Sequence, residues 1–396
     1  MKEYRLGDII DIKHGYAFDG DHIVQEDNGI VLVTPGNFRI GGGFQEEKCK
    51  FFTGEIPDDY VLSAGDFIVT MTDLSKEIDT LGYSAIVPDT NRTYLHNQRI
   101  GLVSFKNNEC HPGYIYFLMR THQYQRSIAN TSTGATVHHT SPSKICDYQF
   151  YAPSYEKQRR IAEYLFVYEK LTENNQKQIK LLEEAAQRLY KEWFIDLRFP
   201  GHETTPIVDG VPEGWKEQSL YQIADVVMGQ SPKSEYYNQV GEGLPFHQGV
   251  GSYGNRFVSD ETYSTSFTRI AEAGSILFSV RAPVGRLNLT KNKVVIGRGL
   301  AAINHRRGAQ SYLFYLLKEK FFRDDIIGNG SIFASISKEE LLNQTFLIPI
   351  DSLVGQFNGI AGGIDKKIDI LSEQIRLLTE ARNRLLPKLM SGEIEV

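Results

Sequence analysis

The chain has 396 residues, a hydrophobic content of 41% and a formal net charge of −6 at pH 7. This length predicts two or three domains, and the apolar content is sufficient for buried cores. Cys49, Cys110 and Cys146 are widely spaced, which argues against a disulfide framework and a cysteine-ligated zinc site. Charged residues interrupt the N-terminus and no apolar run approaches ~18 residues, so we expect a cytoplasmic protein without a membrane segment.

The charge is unevenly distributed along the chain. Residues 1–153 contain 13 Lys and Arg against 19 Asp and Glu, whereas residues 216–350 contain 15 against 12. Because a basic surface favours phosphate groups, nucleic-acid binding is expected more readily of the second segment than of the first.

The first segment, residues 1–153, alternates short apolar runs with glycine, which is typical of a mixed α/β domain. A helix is predicted at Tyr114–Arg126, and its aromatic residues fit a core better than a base-stacking platform. Gly41-Gly42-Gly43 is interpreted as a bare turn. Strands are predicted at 29–35, 66–71, 83–87, 100–105 and 149–152.

A long helical region follows at residues 154–196, and residues 197–215 have the Pro and Gly content of a linker. A second mixed domain, residues 216–350, repeats the first, and a second helical region, residues 351–396, closes the chain. Gln178–Leu189 returns as Gln374–Leu385 with most letters unchanged. The chain is therefore predicted to be a tandem of domain and helix, with an offset of 196 residues between the helical copies.

The two helical regions carry apolar residues at alternating steps of three and four, which predicts a heptad seam. Two ordinary core helices are the simpler interpretation, but two copies in a common register favour a helix pair. The predicted interface comprises Tyr168, Ile179, Leu182, Leu189, Ile364, Ile368, Leu371, Ile375, Leu378 and Leu385.

The connectivity predicts how the helices run. The second domain is attached to the far end of the first helix, so the second helix must return towards the first domain, which makes the pair antiparallel. The predicted fold class is α+β, with two similar mixed α/β domains separated by an antiparallel pair of long coiled-coil helices and related by a pseudo-twofold axis. Such a geometry suits a reader of a bipartite site on a long polymer.

Short motifs in this order resemble those of the specificity subunit of a Type I restriction–modification system. They are Pro212-Glu213-Gly214-Trp215 leading into Gly229-Gln230-Ser231-Pro232, Trp193-Phe194-Ile195-Asp196 after the first helix, and the C-terminal stretch 385–394. The resemblance covers the whole chain. The first domain departs from it, because it is net acidic and has His14-Gly15-Tyr16-Ala17 in place of the Gly-Gln-Ser-Pro turn.

The resemblance implies a non-catalytic subunit whose two target-recognition domains each read half of a gapped sequence in double-stranded DNA. The helices would set the gap and dock two methyltransferase subunits, and restriction/translocase subunits would join the complex. No cofactor is expected in this chain; S-adenosylmethionine, ATP and magnesium are expected on the partner subunits.

The residues themselves carry no motif for catalysis. Neither an Asn/Asp-Pro-Pro-Tyr/Phe methylation motif nor a phosphate-binding Gly-x-x-x-x-Gly-Lys-Ser/Thr loop occurs. His138-His139 suggests a metal site only weakly, because adjacent histidines point apart on a strand. A two-headed scaffold or adaptor that binds proteins remains the alternative, favoured by the acidic first domain and opposed by the basic second one.

Candidate DNA contacts are arginines, which suit guanine edges, lysines, which more often bind phosphates, and small polar residues in loops. A solvated charged face is the competing interpretation. In the second domain the candidates are Arg281, Arg286, Lys291, Lys293, Arg298, Arg306, Arg307, Ser331, Phe333, Ser335 and Lys338. In the first domain they are Arg92, Asn97, Arg99, Thr136, His138, His139 and Lys144.

Overall fold

In the computed structural model, residues 1–75, 77–134, 136–321 and 335–395 are described, and the chain divides into two compact units. Unit 1 comprises Met1–Asn175 with Gln374–Val396, and unit 2 comprises Gln176–Glu373. The division runs through both long helices, so each unit contains one mixed domain and a segment of each helix. Among the described residues, no helix is both long and apolar enough to cross a membrane.

The first half of the chain contributes thirteen strands and five helices among its described residues. In chain order these are β1 (Lys2–Arg5), α1 (Leu6–Ile9), β2 (Ile10–His14), β3 (Ile23–Val24), β4 (Ile30–Val33), β5 (Lys50–Phe52), β6 (Val61–Leu62), β7 (Phe67–Thr70), β8 (Thr72–Asp73), β9 (Ser84–Ile86), β10 (Thr93–His96), β11 (Ile100–Phe105), α2 (Pro112–Leu118), α3 (His122–Asn130), β12 (His138–His139), α4 (Pro142–Cys146), β13 (Gln149–Ala152) and α5 (Tyr155–Tyr190).

The second half contains the corresponding elements after a short hairpin. They are β14 (Ile207–Val208), β15 (Val211–Pro212), β16 (Lys216–Ser219), α6 (Leu220–Ile223), β17 (Ala224–Met228), β18 (Tyr237–Asn238), β19 (Leu244–His247), β20 (Tyr263–Ser264), β21 (Ile270–Ala271), β22 (Ile276–Ser279), β23 (Leu287–Leu289), β24 (Val294–Ile296), β25 (Leu300–His305), α7 (Gln310–Phe321), α8 (Lys338–Leu342), β26 (Thr345–Ile348) and α9 (Asp351–Ser391).

The two domains share one topology. The four-stranded sheet has the order β2-β11-β7-β9 in the first domain and β17-β25-β22-β23 in the second. The five-stranded sheet has the order β3-β5-β4-β10-β6 in the first domain and β18-β20-β19-β24-β21 in the second. A two-stranded antiparallel ribbon, β1 with β13 and β16 with β26, closes each domain. The predicted repeat of two similar mixed α/β domains is confirmed.

The helix predicted at Tyr114–Arg126 is wrong as a single element, because it is divided into α2 and α3. Thr121 causes the break. Its hydroxyl donates to the Leu118 carbonyl at 2.8 Å and accepts from the Tyr124 N–H at 3.3 Å, so it ends one helix and caps the next. Apolar periodicity alone did not reveal this cap.

Residues 197–215 are packed more closely than a linker composition suggests. Phe199 and Trp215 are buried in the same core as Phe194, with the rings of Phe199 and Trp215 5.3 Å apart. The β14–β15 hairpin accounts for the Pro and Gly content between them. The segment therefore anchors the start of the second domain on the end of α5.

The predicted heptad positions lie on the less exposed side of α5 and α9. Ile368 and Leu371 are 0% and 2% exposed, and the other eight predicted interface residues are half-buried. The neighbouring apolar residues Leu181 and Ile370 are 64% and 53% exposed. Burial thus follows the heptad register, and the assignment of these residues to a helix–helix interface stays a prediction.

Candidate nucleic-acid interface

In the second domain, three chain segments meet at one edge of the four-stranded sheet. The Val280 N–H donates to the Gly299 carbonyl at 2.9 Å, and the Ile336 N–H donates to the Val280 carbonyl at 2.9 Å. Segments 297–299, 280–282 and 335–336 therefore lie side by side, and we call them the recognition edge of domain 2. Three of the predicted residues, Arg281, Arg298 and Ser335, are exposed on it.

The first domain has the same arrangement. The Met71 N–H donates to the Arg99 carbonyl at 2.9 Å, and the Thr140 N–H donates to the Met71 carbonyl at 3.0 Å. Segments 97–99, 71–73 and 138–140 form the recognition edge of domain 1. The bridge between Thr72 and His139 corresponds to the bridge between Arg281 and Ser335. The repeat thus brings equivalent loops, far apart in sequence, to equivalent edges.

A polar cluster stands beside the recognition edge of domain 2. The Ser231 hydroxyl donates to Oε1 of Gln248 at 2.8 Å and accepts from the backbone N–H of Arg298 at 3.2 Å. Gln248 and Arg298 are exposed, and Arg298 makes no side-chain ion pair with any described residue. A guanidinium fork and a carboxamide on one rim are the groups that read base edges.

Local backbone geometry explains why these side chains converge. β19 and β24 are parallel neighbours, so their carboxyl ends, followed by Gln248 and Arg298, open at the same edge. The turn after β17 approaches so closely that a Cβ on Gly229 would lie 2.1 Å from the Gly297 carbonyl oxygen. Glycine is therefore required where this turn delivers Ser231 to the cluster.

The cluster lines a groove of about 850 Å³, which is also lined by the aromatic residues Tyr237 and Phe246. The rings of Tyr237 and Phe246 stack with centroids 4.7 Å apart. His247, which follows Phe246 in β19, is 0% exposed, with Nδ1 2.9 Å from the hydroxyl of the groove residue Ser252 and Nε2 3.1 Å from Oδ1 of Asp260. Ser, His and Asp are also the parts of a hydrolytic triad. Because this imidazole is completely buried, its hydrogen bonds serve to hold the groove in shape.

Arg281 and Arg286, five positions apart, face different surroundings. The buried hydroxyl of Ser279 donates to the Pro283 carbonyl at 2.6 Å and accepts from the Arg286 N–H at 2.8 Å, which closes the loop between the two arginines. Arg281 is exposed on the recognition edge. Arg286 is half-buried and lines a separate cavity with Glu183 of α5. Only Arg281 is placed with Arg298.

Four further basic candidates of domain 2 are exposed but paired. Lys291 contacts Asp369 of α9 at 2.7 Å, and Lys293 contacts Glu272 at 3.0 Å. Both lysines precede β24, at the end opposite Arg298. Arg306 pairs with Asp225 at 3.1 Å, and Arg307 pairs with Asp351. Exposed pairs of this kind are weak, so a role for these residues at phosphates stays a prediction.

In domain 1 the structure separates Arg92 from Arg99. They flank the four-residue strand β10, so they lie at its opposite ends. Arg92 pairs with Asp27 and lies over the Phe51 ring, with the guanidinium carbon 5.7 Å from the ring centroid. Arg99 is exposed on the recognition edge. Asn97 is 8% exposed and its Oδ1 accepts from the Arg99 N–H at 2.9 Å, so it shapes the turn.

The other predicted residues have mixed placements. Nδ1 of His139 lies 3.1 Å from the Thr72 hydroxyl, and His138 is half-buried in the β8–β12 pair. Thr136 and Lys338 are exposed, whereas Lys144 is half-buried and donates to the Thr131 carbonyl. Ser331 and Phe333 lie outside the described residues.

The domain 1 edge contains a buried carboxylate that orders its neighbouring loop. Asp73 is 1% exposed and accepts hydrogen bonds from the N–H groups of Ser75 and Thr80 and from the Thr80 hydroxyl, each at 2.6 Å. Burial raises the pKa of Asp73, but these hydrogen bonds outweigh it and hold the pKa below its usual value. The carboxylate therefore remains charged and fixes the turn beside the edge.

Sequence reasoning did not select Ser231 or Gln248 as site residues, whereas Gln98 belongs to the polar cluster predicted around Asn97 and Arg99. Gln98 is exposed and follows Asn97 at the carboxyl end of β10, which is parallel to β4. The Gly229-Gln230-Ser231-Pro232 motif was an available signal for Ser231. Gln248 carried no local signal, because only the pairing of β19 with β24 places it in the groove.

Comparison with known proteins identifies similar chains. A family profile described as "Type I restriction modification DNA specificity domain" matches residues 1–184 and 212–382. The putative type I restriction enzyme MjaX specificity subunit of Methanocaldococcus jannaschii is 29% identical over 347 residues, covering 85% of this chain and 80% of that one. The type I restriction enzyme MjaIX specificity subunit of the same organism is 26% identical over 299 residues, covering 72% and 69%.

A solved structure has the same architecture over nearly its whole length. It is the crystal structure of the type I restriction–modification system S subunit from M. genitalium, with a TM-score of 0.60 and 15% sequence identity. The match covers 98% of this chain and 96% of that one. At this identity the likeness concerns the fold alone.

Proposed function

The chain belongs to the family of type I restriction–modification DNA specificity domains, and from this premise we propose how its parts read DNA. It is a non-catalytic specificity subunit that binds DNA in a sequence-specific manner. Each of its two domains reads one half of a bipartite, gapped target, and the helices set the gap between the halves.

The observation that carries the reading role is the polar rim of domain 2. Arg281 and Arg298 are exposed together, neither forms an ion pair with a described residue, and the Gln248 carboxamide lies beside Arg298. These groups match the hydrogen-bonding edges of guanine and adenine in the major groove. In domain 1, Gln98 and Arg99 occupy the equivalent edge.

Contacts within each unit support an antiparallel helix pair with pseudo-twofold symmetry. In unit 1 the core joins Leu165, early in α5, to Leu389, late in α9. In unit 2 it joins Trp193, after the end of α5, to Phe357, early in α9, with ring centroids 6.0 Å apart. The 36 residues of α5 span about 54 Å at about 1.5 Å per residue, enough for a rigid spacer.

The outer faces of the helices support docking of two identical partners, which we propose to be methyltransferase subunits. Tyr164 and Ile360 are equivalent in the repeat and are 57% and 47% exposed, and the equivalent pair Leu181 and Leu377 is 64% and 50% exposed. Large apolar side chains exposed at matched positions suit a protein partner that binds twice. Restriction/translocase subunits would join this complex, with S-adenosylmethionine, ATP and magnesium bound by the partners.

Exchange of one domain tests this function. Residues 216–350 are replaced with the equivalent domain of a related subunit, and residues 1–153 are exchanged in a matched control. Methylation sites are then mapped across a genome that expresses the subunit and its methyltransferase. We expect each exchange to rewrite one half of the target and leave the other half and the gap unchanged. An exchange that rewrites both halves, or a wild-type chain that gives no gapped motif, would contradict the proposal.

A further inference from the structure

A buried arginine joins the first domain to α5 in unit 1, and its carboxylate partner links α5 to α9. The Arg120 side chain is 2% exposed and pairs with Glu169 of α5, which in turn contacts Arg382 of α9 at 3.1 Å. Its other N–H groups donate to the carbonyls of Gly41 at 2.8 Å and Gly42 at 3.2 Å. The triple glycine is thus no bare turn, since a Cβ on Gly42 would lie 2.6 Å from the Arg120 side chain.

Unit 2 contains a second arrangement of the same chemistry. The Arg256 side chain is 4% exposed, pairs with Asp365 of α9, and lies 3.7 Å from a carboxylate oxygen of Glu183 in α5. Its backbone belongs to the recognition domain, where the Arg256 carbonyl accepts from the Leu289 N–H at 3.0 Å. One guanidinium therefore joins the domain to both helices.

The two arrangements correspond at the helix and differ at the domain. Glu169 and Asp365 are equivalent in the repeat. Arg120 follows α2, whereas Arg256 lies in the loop between β19 and β20. Different parts of the recognition domains thus supply an arginine to the same helix position.

The aromatic surroundings also match. The guanidinium carbon of Arg120 lies 4.9 Å from the centroid of the Tyr116 ring, and that of Arg256 lies 4.1 Å from the centroid of the Phe314 ring, at the matching position of α7. A tyrosine hydroxyl completes each arrangement, because Tyr116 donates to Glu169 at 3.1 Å and Tyr315 to Asp365 at 3.4 Å.

The energetics of buried ion pairs indicate that these arginines contribute more to the orientation of the domains than to the free energy of unfolding. The desolvation of a buried ion pair largely cancels its attraction, so apolar packing of the same volume would stabilise equally well. A charge-assisted pair is, however, short and directional, and a planar guanidinium tolerates little rotation. An arginine held by the domain and by a carboxylate of a long helix therefore fixes the angle of the domain on its helices.

We propose that Arg120–Glu169 and Arg256–Asp365 are orientation latches, and that they make the subunit selective for one gap length. This inference rests on the proposed function and deepens it. The four side chains are positioning residues: none of them belongs to the segments that form the recognition edges, and they act by holding each domain at one angle. When the ion pair of a latch is removed, the domain still reads its half-site but also binds it in targets whose gap is slightly shorter or longer.

The test uses the full-length subunit with its methyltransferase and duplexes that carry the two mapped half-sites with gaps one base pair shorter, unchanged or one longer. The variants are Asp365→Asn and the double variant Arg256→Met with Asp365→Asn. The single change leaves the Arg256 guanidinium without the carboxylate of Asp365 and could prevent folding, whereas the double variant also removes the guanidinium. Glu173→Gln, an exposed carboxylate on α5, is the matched control.

We expect the wild type and the control to methylate the native gap almost alone. The latch variants should methylate the altered gaps at least about tenfold more, relative to the native gap, with the half-site bases unchanged. A folded double variant that keeps the wild-type gap preference would overturn the latch, as would one that alters a half-site instead.

A second readout separates the latch from the proposed function. Hydrogen–deuterium exchange is compared at the amides of Val258 and Leu289, which tie the Arg256 loop to β23. Faster exchange in the latch variants than in Glu173→Gln supports the latch even if no gapped motif is found, an outcome that would refute only the DNA-reading function. Equal exchange in all variants would refute the latch.

Discussion

Replacement of Ile368 by aspartate should destabilise unit 2, which contains this part of α9. The Ile368 side chain is 0% exposed, so its burial contributes about 1.5–3 kcal/mol. The carboxylate adds the cost of a buried charge without a partner, which is several kcal/mol. The sum is about 5 kcal/mol or more. For a unit of about 200 residues, this lowers the Tm by about 10–20 °C. Thermal unfolding followed by circular dichroism measures the change.

The matched control is Ile370→Asp, two residues further along the same helix. Ile370 is 53% exposed, so the substitution should shift the Tm by no more than about 2 °C. The helix propensity and the charge introduced are the same in both variants, so only burial differs. Equal Tm values for the two variants would show that the heptad seam is misplaced.

Four further outcomes are expected. Arg298→Ala should reduce discrimination between bases at one half-site by about 1–3 kcal/mol, or about 5–150-fold, in gel shifts with altered half-sites. The control Arg306→Ala should leave this discrimination unchanged. If Arg298→Ala instead weakens binding to every duplex equally, Arg298 contacts a phosphate. Leu377→Asp should weaken methyltransferase association in pull-downs with an unchanged Tm. One helical turn added to α5 within residues 172–178 adds about 5–6 Å and should lengthen the preferred gap by one or two base pairs in methylation maps. A matching turn is added to α9 to keep the heptad positions of the two helices paired. Burial lowers the pKa of His96 from 6.5, so on acidification the unfolded chain binds a proton that the folded chain does not. The Tm should therefore fall as the pH drops from about 7.5 to about 5.5. The fall should be smaller in His96→Gln, which lacks the imidazole.

The repeat and the long helices could be predicted because their signals are local or periodic. A heptad pattern depends on spacing alone, and Leu371 and Leu181 fell on the buried and exposed sides that the pattern assigns them. The break at Thr121 was missed because a cap needs only one hydroxyl within an otherwise apolar run.

The site was harder to predict because it depends on which strands become neighbours. Arg92 and Arg99 are close in sequence but lie at opposite ends of β10. Ser231 and Gln248 are 17 positions apart and share a hydrogen bond. Residue type identified arginines that suit DNA, but only the pairing of β19 with β24 shows that Arg298 stands in a groove.

The ribbon that closes each domain has a consequence for how specificity is inherited. Lys2 stands opposite Ala152, and Lys216 opposite Ile348, so each domain begins and ends on adjacent strands about 4.8 Å apart. A gene fragment that spans either domain encodes both strands of its ribbon and both larger sheets between them. Recombination at these two points can graft a foreign cassette without changing the path of the helices. New target sequences can therefore arise by exchange of domain-coding fragments, while the gap between the two half-sites is inherited separately with the helices.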